Sequence, residues 1–128
     1  MKTILIVDDE NEIIENISYD IRDMNLKVIS ASNGKEALLK AKNNQIDFIF
    51  TDINMPLIDG LTLIKKLSRI GVNVPIVFLS AEWESRFLPL DEYETQSIIF
   101  KSHAILKKPY EVKQIRELLF KGLNLKSI

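Results

Sequence analysis

No cysteine occurs anywhere in the 128 residues, so disulfides, thiolate nucleophiles and thiolate-held metals are excluded. A single histidine, His103, rules out a histidine-based metal cluster within one chain. No glycine-rich phosphate loop follows the first apolar run, which argues against a nucleotide-binding domain of the doubly wound type. Charge of either sign is nearly balanced: the net charge of −1 gives no electrostatic footprint for nucleic acid, and no lysine-rich block marks a membrane surface. The start, Met1-Lys2-Thr3, leads into only four strongly apolar residues before Asp8, too few for a signal peptide or a membrane span. The expectation is a cytoplasmic protein with no direct nucleic-acid or membrane partner. Repeats, linkers and low-complexity tracts are missing as well, and a composition of 46% apolar and 27% charged residues suits one ordinary globular domain.

What the chain does have is a set of apolar runs that end abruptly on polar groups. Residues 3–7 are aliphatic and β-branched and read as a buried strand ending on Asp8-Asp9. Asp9 or Asn11 is placed to cap a helix through about Met24, with Ile13, Ile14, Ile17, Ile21 and Met24 on one face. Residues 27–31 read as a second strand. Asn33-Gly34 turns the chain into a helix over 35–42, carried by Ala37, Leu38 and Ala41. Residues 47–52 form a third strand ending on Asp52. Asp59-Gly60 is a turn with no chemistry assigned, and Leu61, Leu63, Ile64 and Leu67 mark a helix stopped near Gly71.

Residues 74–80 form a fourth strand with Pro75 at its beginning, where a missing donor is tolerated. Residues 104–106 form a fifth, and Val112, Ile115, Leu118 and Leu119 give the last helix its apolar face. The segment between Ser80 and Ala104 is long and mixed. Pro89 interrupts any single helix drawn through it, and a helix is placed roughly at Leu90–Phe100. Trp83 and Phe87 read as packing residues, and His103 as structural. Strands alternating with helices imply a doubly wound α/β domain with a parallel sheet covered on both faces.

In such a sheet the strand carboxyl ends share one edge, where ligands bind. That edge would gather Asp8-Asp9, Asp52, Ser80 and Lys107-Lys108. Clustered carboxylates are costly unless a cation or proton relieves them. A hard divalent cation such as Mg²⁺, or Mn²⁺ in its place, takes oxygen ligands and bridges to a phosphoryl oxygen. A carboxylate can itself accept a phosphoryl group, with a lysine and a serine hydroxyl holding its oxygens. Taken singly, Asp8-Asp9 also suits the first turn of a helix, and Lys108 an ordinary solvated lysine.

Together, Asp8-Asp9, the run Asp52-Ile53-Asn54-Met55-Pro56 with Asp59-Gly60, Ser80-Ala81 and Lys108-Pro109 resemble the receiver domain of two-component response regulators. The resemblance covers nearly the whole chain. It implies a flavodoxin-like five-stranded parallel sheet of order 2-1-3-4-5. With about 20 residues after Pro109, residues 1–124 are expected to be a single receiver domain of the stand-alone, chemotaxis-regulator-like kind with no output domain, a receiver cut from a longer regulator being the alternative. The resemblance implies that Asp52 is the phosphoacceptor and that Asp9 and Asp52 ligate Mg²⁺ directly. Asp8 would act largely through water, and the Asn54 backbone carbonyl would add a ligand. Lys108, rather than Lys107, would contact the phosphoryl group, with a cis bond to Pro109, and Ser80 would move towards it. The implied partners are a sensor histidine kinase or histidine phosphotransfer protein and a downstream protein target.

Two departures fall on the side that partners read, built in this family from the fourth helix, fifth strand and fifth helix. The usual aromatic three positions before the conserved lysine is Ile105 here, and the segment from Ser80 to Lys108 is several residues longer than usual. A phosphorylation-independent adaptor is therefore the alternative reading. An aspartate-nucleophile phosphatase is disfavoured, because its general acid would fall on Asn54, an amide. Polar Asn54 and Glu82, two positions after the acceptor and the serine, imply a short phosphoryl lifetime.

Overall fold

The computed structural model describes residues 1–53, 55, 58–80 and 103–125. The helix expected at Leu90–Phe100, together with Trp83, Phe87 and Glu82, and the Asn54 carbonyl lie outside the described residues. Five strands, β1 (Thr3–Val7), β2 (Lys27–Ala31), β3 (Phe48–Asp52), β4 (Ile76–Ser80) and β5 (Ala104–Lys107), form one sheet. Its order is β2-β1-β3-β4-β5 with every pairing parallel, as the sequence pattern and the resemblance imply. Four helices are described: α1 (Asn11–Asp20), α2 (Gly34–Asn43), α3 (Gly60–Arg69) and α4 (Val112–Gly122).

The continuous apolar runs are explained by burial from both sides. Every residue of β1 and β3 is buried, and the period-2 alternation of strand side chains divides them between two layers. Ile4, Ile6, Phe48, Phe50, Val77, Leu79 and Leu106 pack on one face against Ile14 and Ile17 of α1 and Ile115 and Leu119 of α4. On the opposite face Leu5, Val7 and Ile49 meet Ala37 and Ala41 of α2 and Leu63 and Leu67 of α3. Full burial of a Leu, Ile or Phe side chain contributes about 1.5–3 kcal/mol, so these two layers carry the hydrophobic stabilisation of the domain.

Several boundaries differ from the sequence expectation. α1 stops at Asp20 instead of Met24, its first residue is preceded by Glu10 at the N-cap, and neither Asp9 nor Asn11 occupies that position. The chain leaves the helix through turns and reaches φ +56° at Asn25, yet Ile21 and Met24 still serve the same core layer. The end of α1 is held from α4: Arg116 donates to the Asp20 carbonyl at 3.0 Å and pairs with the Asp23 carboxylate at 2.7 Å. β4 begins at Ile76, where pairing with Ile49 starts, while the Pro75 carbonyl accepts the Ile49 N–H at 3.0 Å. Val112 is 45% exposed, so the apolar face of α4 starts one turn later, at Ile115. α3 ends where Gly71 takes φ +87°, a conformation that glycine adopts without steric cost.

α2 begins with a reciprocal cap. Asn33 Oδ1 accepts the Glu36 N–H at 2.8 Å, and the Glu36 carboxylate accepts from the Ser32 N–H at 3.1 Å and hydroxyl at 2.8 Å. Lys40 also pairs with Glu36 at 3.0 Å. Hydrogen bonding by Lys40, then by Ser32, lowers the Glu36 carboxyl from its ordinary 4.5 to about 2. A depressed acid contributes stability that is fully present above its unfolded value and is lost as pH falls through its folded value. Glu36→Gln is therefore expected to lower the urea midpoint modestly at neutral pH, as for an exposed pair. The gap to wild type should narrow on acidification from about 4.5 to about 2, and a gap that stays constant over that range would refute the assignment.

Candidate functional site

Parallel pairing brings the carboxyl ends of β1, β3, β4 and β5 to one edge. Val7 is opposite Thr51, Asp52 opposite Leu79 and Ser80 opposite Lys107, so the residues that end these strands are neighbours. Asp8, directly after β1, is fully buried, and Asp52 and Ser80 are nearly so. The Asp8 backbone N–H is bonded to Ala31 O at 3.1 Å, which continues the β1–β2 ladder and aims the side chain into the edge. Its carboxylate is satisfied on both oxygens: Oδ1 accepts the Glu10 N–H at 2.9 Å and Oδ2 accepts Lys108 Nζ at 3.2 Å. The same ammonium lies 3.6 Å from Asp52 Oδ2.

Lys108 thus joins two acids delivered by different strands. Its backbone N–H donates to Ser80 O at 2.8 Å, and a cis bond follows it to Pro109. Lys107, by contrast, is exposed on β5 and takes no part in this arrangement. Ser80 Oγ is the buried side-chain polar atom, among the described residues, that has no hydrogen-bond partner. Ile105 sits opposite Phe78 in β5 and is 43% exposed.

The backbone beneath Asp52 explains the glycine that follows. A Cβ on Gly60 would stand 2.2 Å from the Asp52 carbonyl oxygen and 3.0 Å from Ile53 Cα. Only a residue without a Cβ lets α3 start against the end of β3, where the Gly60 N–H bonds Ile53 O at 2.8 Å. Asp59 serves this same start: it accepts the Thr62 N–H at 2.9 Å as the N-cap of α3.

Electrostatics at this edge are set by burial against charge. Burial raises the Asp8 carboxyl above its ordinary value, outweighing the Glu10 amide and the Lys108 ammonium, and Asp9 adds to the rise. Burial pushes Lys108 down, but attraction to Asp52 and Asp8, with Glu10 assisting, more than offsets it, so Lys108 stays charged. Tyr110 is pushed up to about 12 by burial, with Asp8 and Asp20 contributing.

The carboxylates of Asp8, Asp9 and Glu10 lie within 4.8 Å of one another. Glu10 is the member that sequence reasoning missed. It stands at the N-cap of α1 but makes no side-chain cap bond, leaving its carboxylate with the other two. Glutamate at a position that favours Ser, Thr, Asp or Asn was the available signal. An all-oxygen donor set with one wholly buried carboxylate fits a hard divalent cation that retains several waters.

The family model described as response regulator receiver domain matches residues 4–120, and the chain belongs to that family of signalling domains. It is 39% identical over 83 residues to the alkaline phosphatase synthesis transcriptional regulatory protein PhoP of Bacillus subtilis, covering 65% of this chain and 35% of PhoP. A response regulator receiver protein of Anaeromyxobacter sp. is 33% identical over 118 residues, covering 92% of this chain and 47% of the relative. The chain thus spans between about a third and a half of these relatives' length. Among solved structures, the Vibrio cholerae chemotaxis protein CheY4 superposes with a TM-score of 0.78 at 27% identity, covering 95% of this chain and 98% of CheY4. The Thermotoga maritima response regulator TrrA, solved in complex with Mg²⁺-BeF, gives 0.76 at 27% identity, covering 94% of this chain and 98% of TrrA.

Removing Lys108 leaves a buried carboxylate without its countercharge, which costs about 3–5 kcal/mol. Lys108→Met is accordingly expected to lower the unfolding free energy on this scale in urea titrations without added metal. Adding Asp8→Asn should recover much of the loss, and a double variant as unstable as Lys108→Met alone would contradict the pairing.

Proposed function

We propose that Asp52 accepts a phosphoryl group in a Mg²⁺-dependent reaction and that the added charge switches the protein's affinity for a downstream protein target. The observation that carries this reading is the Lys108 ammonium shared by Asp8 and Asp52 beside an unpartnered, buried Ser80 hydroxyl. An Asp52 carboxylate oxygen bonds to phosphorus as the bond from phosphorus to the donor breaks, and the leaving group departs with that electron pair. Asp8, Asp9 and Asp52, with the Asn54 backbone carbonyl, would hold the cation, and Glu10 stands close enough to help orient its waters. Bound Mg²⁺ supplies charge neutralisation for the phosphoryl oxygens during transfer.

Lys108 then has a phosphoryl oxygen to serve in place of a bare carboxylate. Ser80 gains the acceptor that it lacks, a gain available only in the phosphorylated state. The donor chemistry is that of a histidine kinase or histidine phosphotransfer protein, and small phosphodonors should serve in its place. Hydrolysis of the acyl phosphate should be slow beside the turnover of a metabolic phosphatase yet fast enough for a short-lived signal, so that it times the response. The magnesium assignment is supported by the donor set and by the Mg²⁺-BeF complex of TrrA.

Intact mass after incubation with acetyl phosphate tests this directly. Wild type should gain one phosphoryl group in the presence of Mg²⁺, and neither the metal-free sample nor Asp52→Asn should gain any. Folded wild type that gains nothing under any condition would sink the reading. Ser80→Ala should keep or slightly raise the stability of the unphosphorylated protein, because it removes an unsatisfied hydroxyl, at a scale of about 1 kcal/mol. It should nevertheless lose most of the stabilisation that phosphorylation confers, read as the shift in Tm between the two states. An unchanged shift would remove Ser80 from the switch.

A further inference from the structure

We infer that the β2–α2 turn braces the two halves of the cation site, with Gly34 and Ile58 as the positioning pair that fixes the loop after Asp52. The inference deepens the proposed function and rests on reading Asp8, Asp9 and Asp52 as ligands of Mg²⁺. β2 supplies no acid, yet its end and the turn after it touch both sides of the site. On one side the Ala31 carbonyl accepts the Asp8 N–H at 3.1 Å, which fixes the backbone from which Asp8 and Asp9 project. On the other, three residues further on, Gly34 meets Ile58 of the connection between β3 and α3.

The approach is too close for any other residue at the glycine. A Cβ on Gly34 would stand 2.7 Å from Ile58 Cβ, and 3.0 Å from both Ile58 Cγ2 and the Ile58 carbonyl oxygen. Carbon atoms in contact settle at about 3.5–4.0 Å. Backbone conformation does not call for glycine here: Gly34 is the first residue of α2, its φ is not positive, and glycine is a poor helix former. Neither partner can easily retreat. Gly34 follows the Asn33 cap, whose Oδ1 accepts the Glu36 N–H at 2.8 Å, while Glu36 accepts from Ser32 in return. Ile58 packs on the layer that contains Val7, Ala31, Ala37 and Leu63, where Met55 of the same loop is buried.

Only Asp59 separates Ile58 from Gly60, which is pressed against the acceptor strand. Asp59 is held by the Thr62 N–H and hydroxyl, both at 2.9 Å, and Gly60 has no room for a Cβ beside the Asp52 carbonyl. A displacement of Ile58 is therefore passed to the backbone that carries Asp52. Mg²⁺ is sensitive to such a shift because it demands near-octahedral geometry, whereas Ca²⁺ accepts irregular coordination. Groups that orient ligands without touching the metal typically account for roughly tenfold to hundredfold in affinity. The plainer reading is that Asn33-Gly34 starts α2 and Ile58 fills part of a core layer. That role affects stability and leaves cation affinity, and the preference between cations, alone.

The test follows amide chemical shifts as MgCl2 or CaCl2 is titrated into unphosphorylated wild type, Gly34→Ala, Ile58→Ala and Ile58→Val, with a urea midpoint for each. Leu119→Ala, in the opposite core layer, serves as a variant destabilised away from the brace. Gly34→Ala should raise the Mg²⁺ Kd on the order of tenfold and the Ca²⁺ Kd by clearly less. Ile58→Ala should weaken Mg²⁺ binding by about threefold or more. Ile58→Val keeps the two side-chain atoms nearest Gly34 and should bind as wild type does, as should Leu119→Ala. Unchanged Mg²⁺ affinity in Gly34→Ala, equal losses for the two cations, or as large a loss in Leu119→Ala would each overturn the brace while leaving Asp52 as the acceptor. If Gly34→Ala does not fold, the Ile58 pair decides, and equal Mg²⁺ affinities in Ile58→Ala and Ile58→Val overturn the brace. Wild type that binds no Mg²⁺ would overturn the Mg²⁺-dependent reading and the brace with it.

Discussion

The ammonium of Lys108, 3.2 Å from Asp8 and 3.6 Å from Asp52, is the contact on which the arrangement of the carboxyl edge depends. Two carboxylates that end neighbouring strands and are withdrawn from water repel each other, and each loses its hydration. At an effective dielectric of about 20, an ion pair at such distances gains roughly 5 kcal/mol, comparable to the several kcal/mol lost in desolvating each ion. Attraction on this scale offsets the desolvation without a large surplus, so the pairing is not what chiefly holds the fold together. The two hydrophobic layers do that. What the pairing provides is a countercharge that holds two buried strand-end carboxylates together at one edge.

For Lys108 to reach Asp8 the sheet must be assembled in full register. β5 is separated from β1 by β3 and β4, and the ladder Val7–Thr51, Asp52–Leu79, Ser80–Lys107 brings them into line. A slip of one residue in any parallel pair would send the strand-end side chain to the other face. The buried apolar runs guard against that slip, because each carries residues for two different layers. Gly60 adds a second constraint from below: the Asp52 carbonyl lies where its Cβ would be. Core packing, register and one missing methyl group therefore set the geometry of a site made mostly of charge.

Much of this was legible in the chain itself. Apolar runs that stop on Asp8, Asp52 and Ser80 disclosed both the strands and the shared edge, since buried strands of a parallel sheet have no other way to end on acids. The choice of Lys108 over Lys107 was also legible, because adjacent strand residues point to opposite sides and only one adjoins a proline. Boundaries were less so. α1 was drawn to Met24 because Ile21 and Met24 keep helical spacing, but they reach the same core layer from turns. Val112 keeps the spacing of Ile115 and yet is exposed, since periodicity does not say which turn of a helix meets the sheet. Glu10 escaped because a third acid beside two looks like more of the same; its distinction is a cap position that its side chain leaves unused.

The surroundings of the site are not equally responsive to added charge. On one side, α1 begins at the acid cluster, α4 begins shortly after Lys108, and Arg116 ties the far end of α1 to α4 through Asp20 and Asp23. Every polar group named in that tie already has a partner, so a phosphoryl group at Asp52 offers it nothing new. On the other side Ser80 holds a buried hydroxyl with no partner, and its backbone carbonyl carries Lys108. A ligand shifts a conformational equilibrium only by its differential interaction with the two states. Among the described residues, the buried group at this edge with an unused hydrogen-bonding capacity is Ser80, and it lies with Lys108 on the β4–β5 side, while the α1–α4 tie is already satisfied.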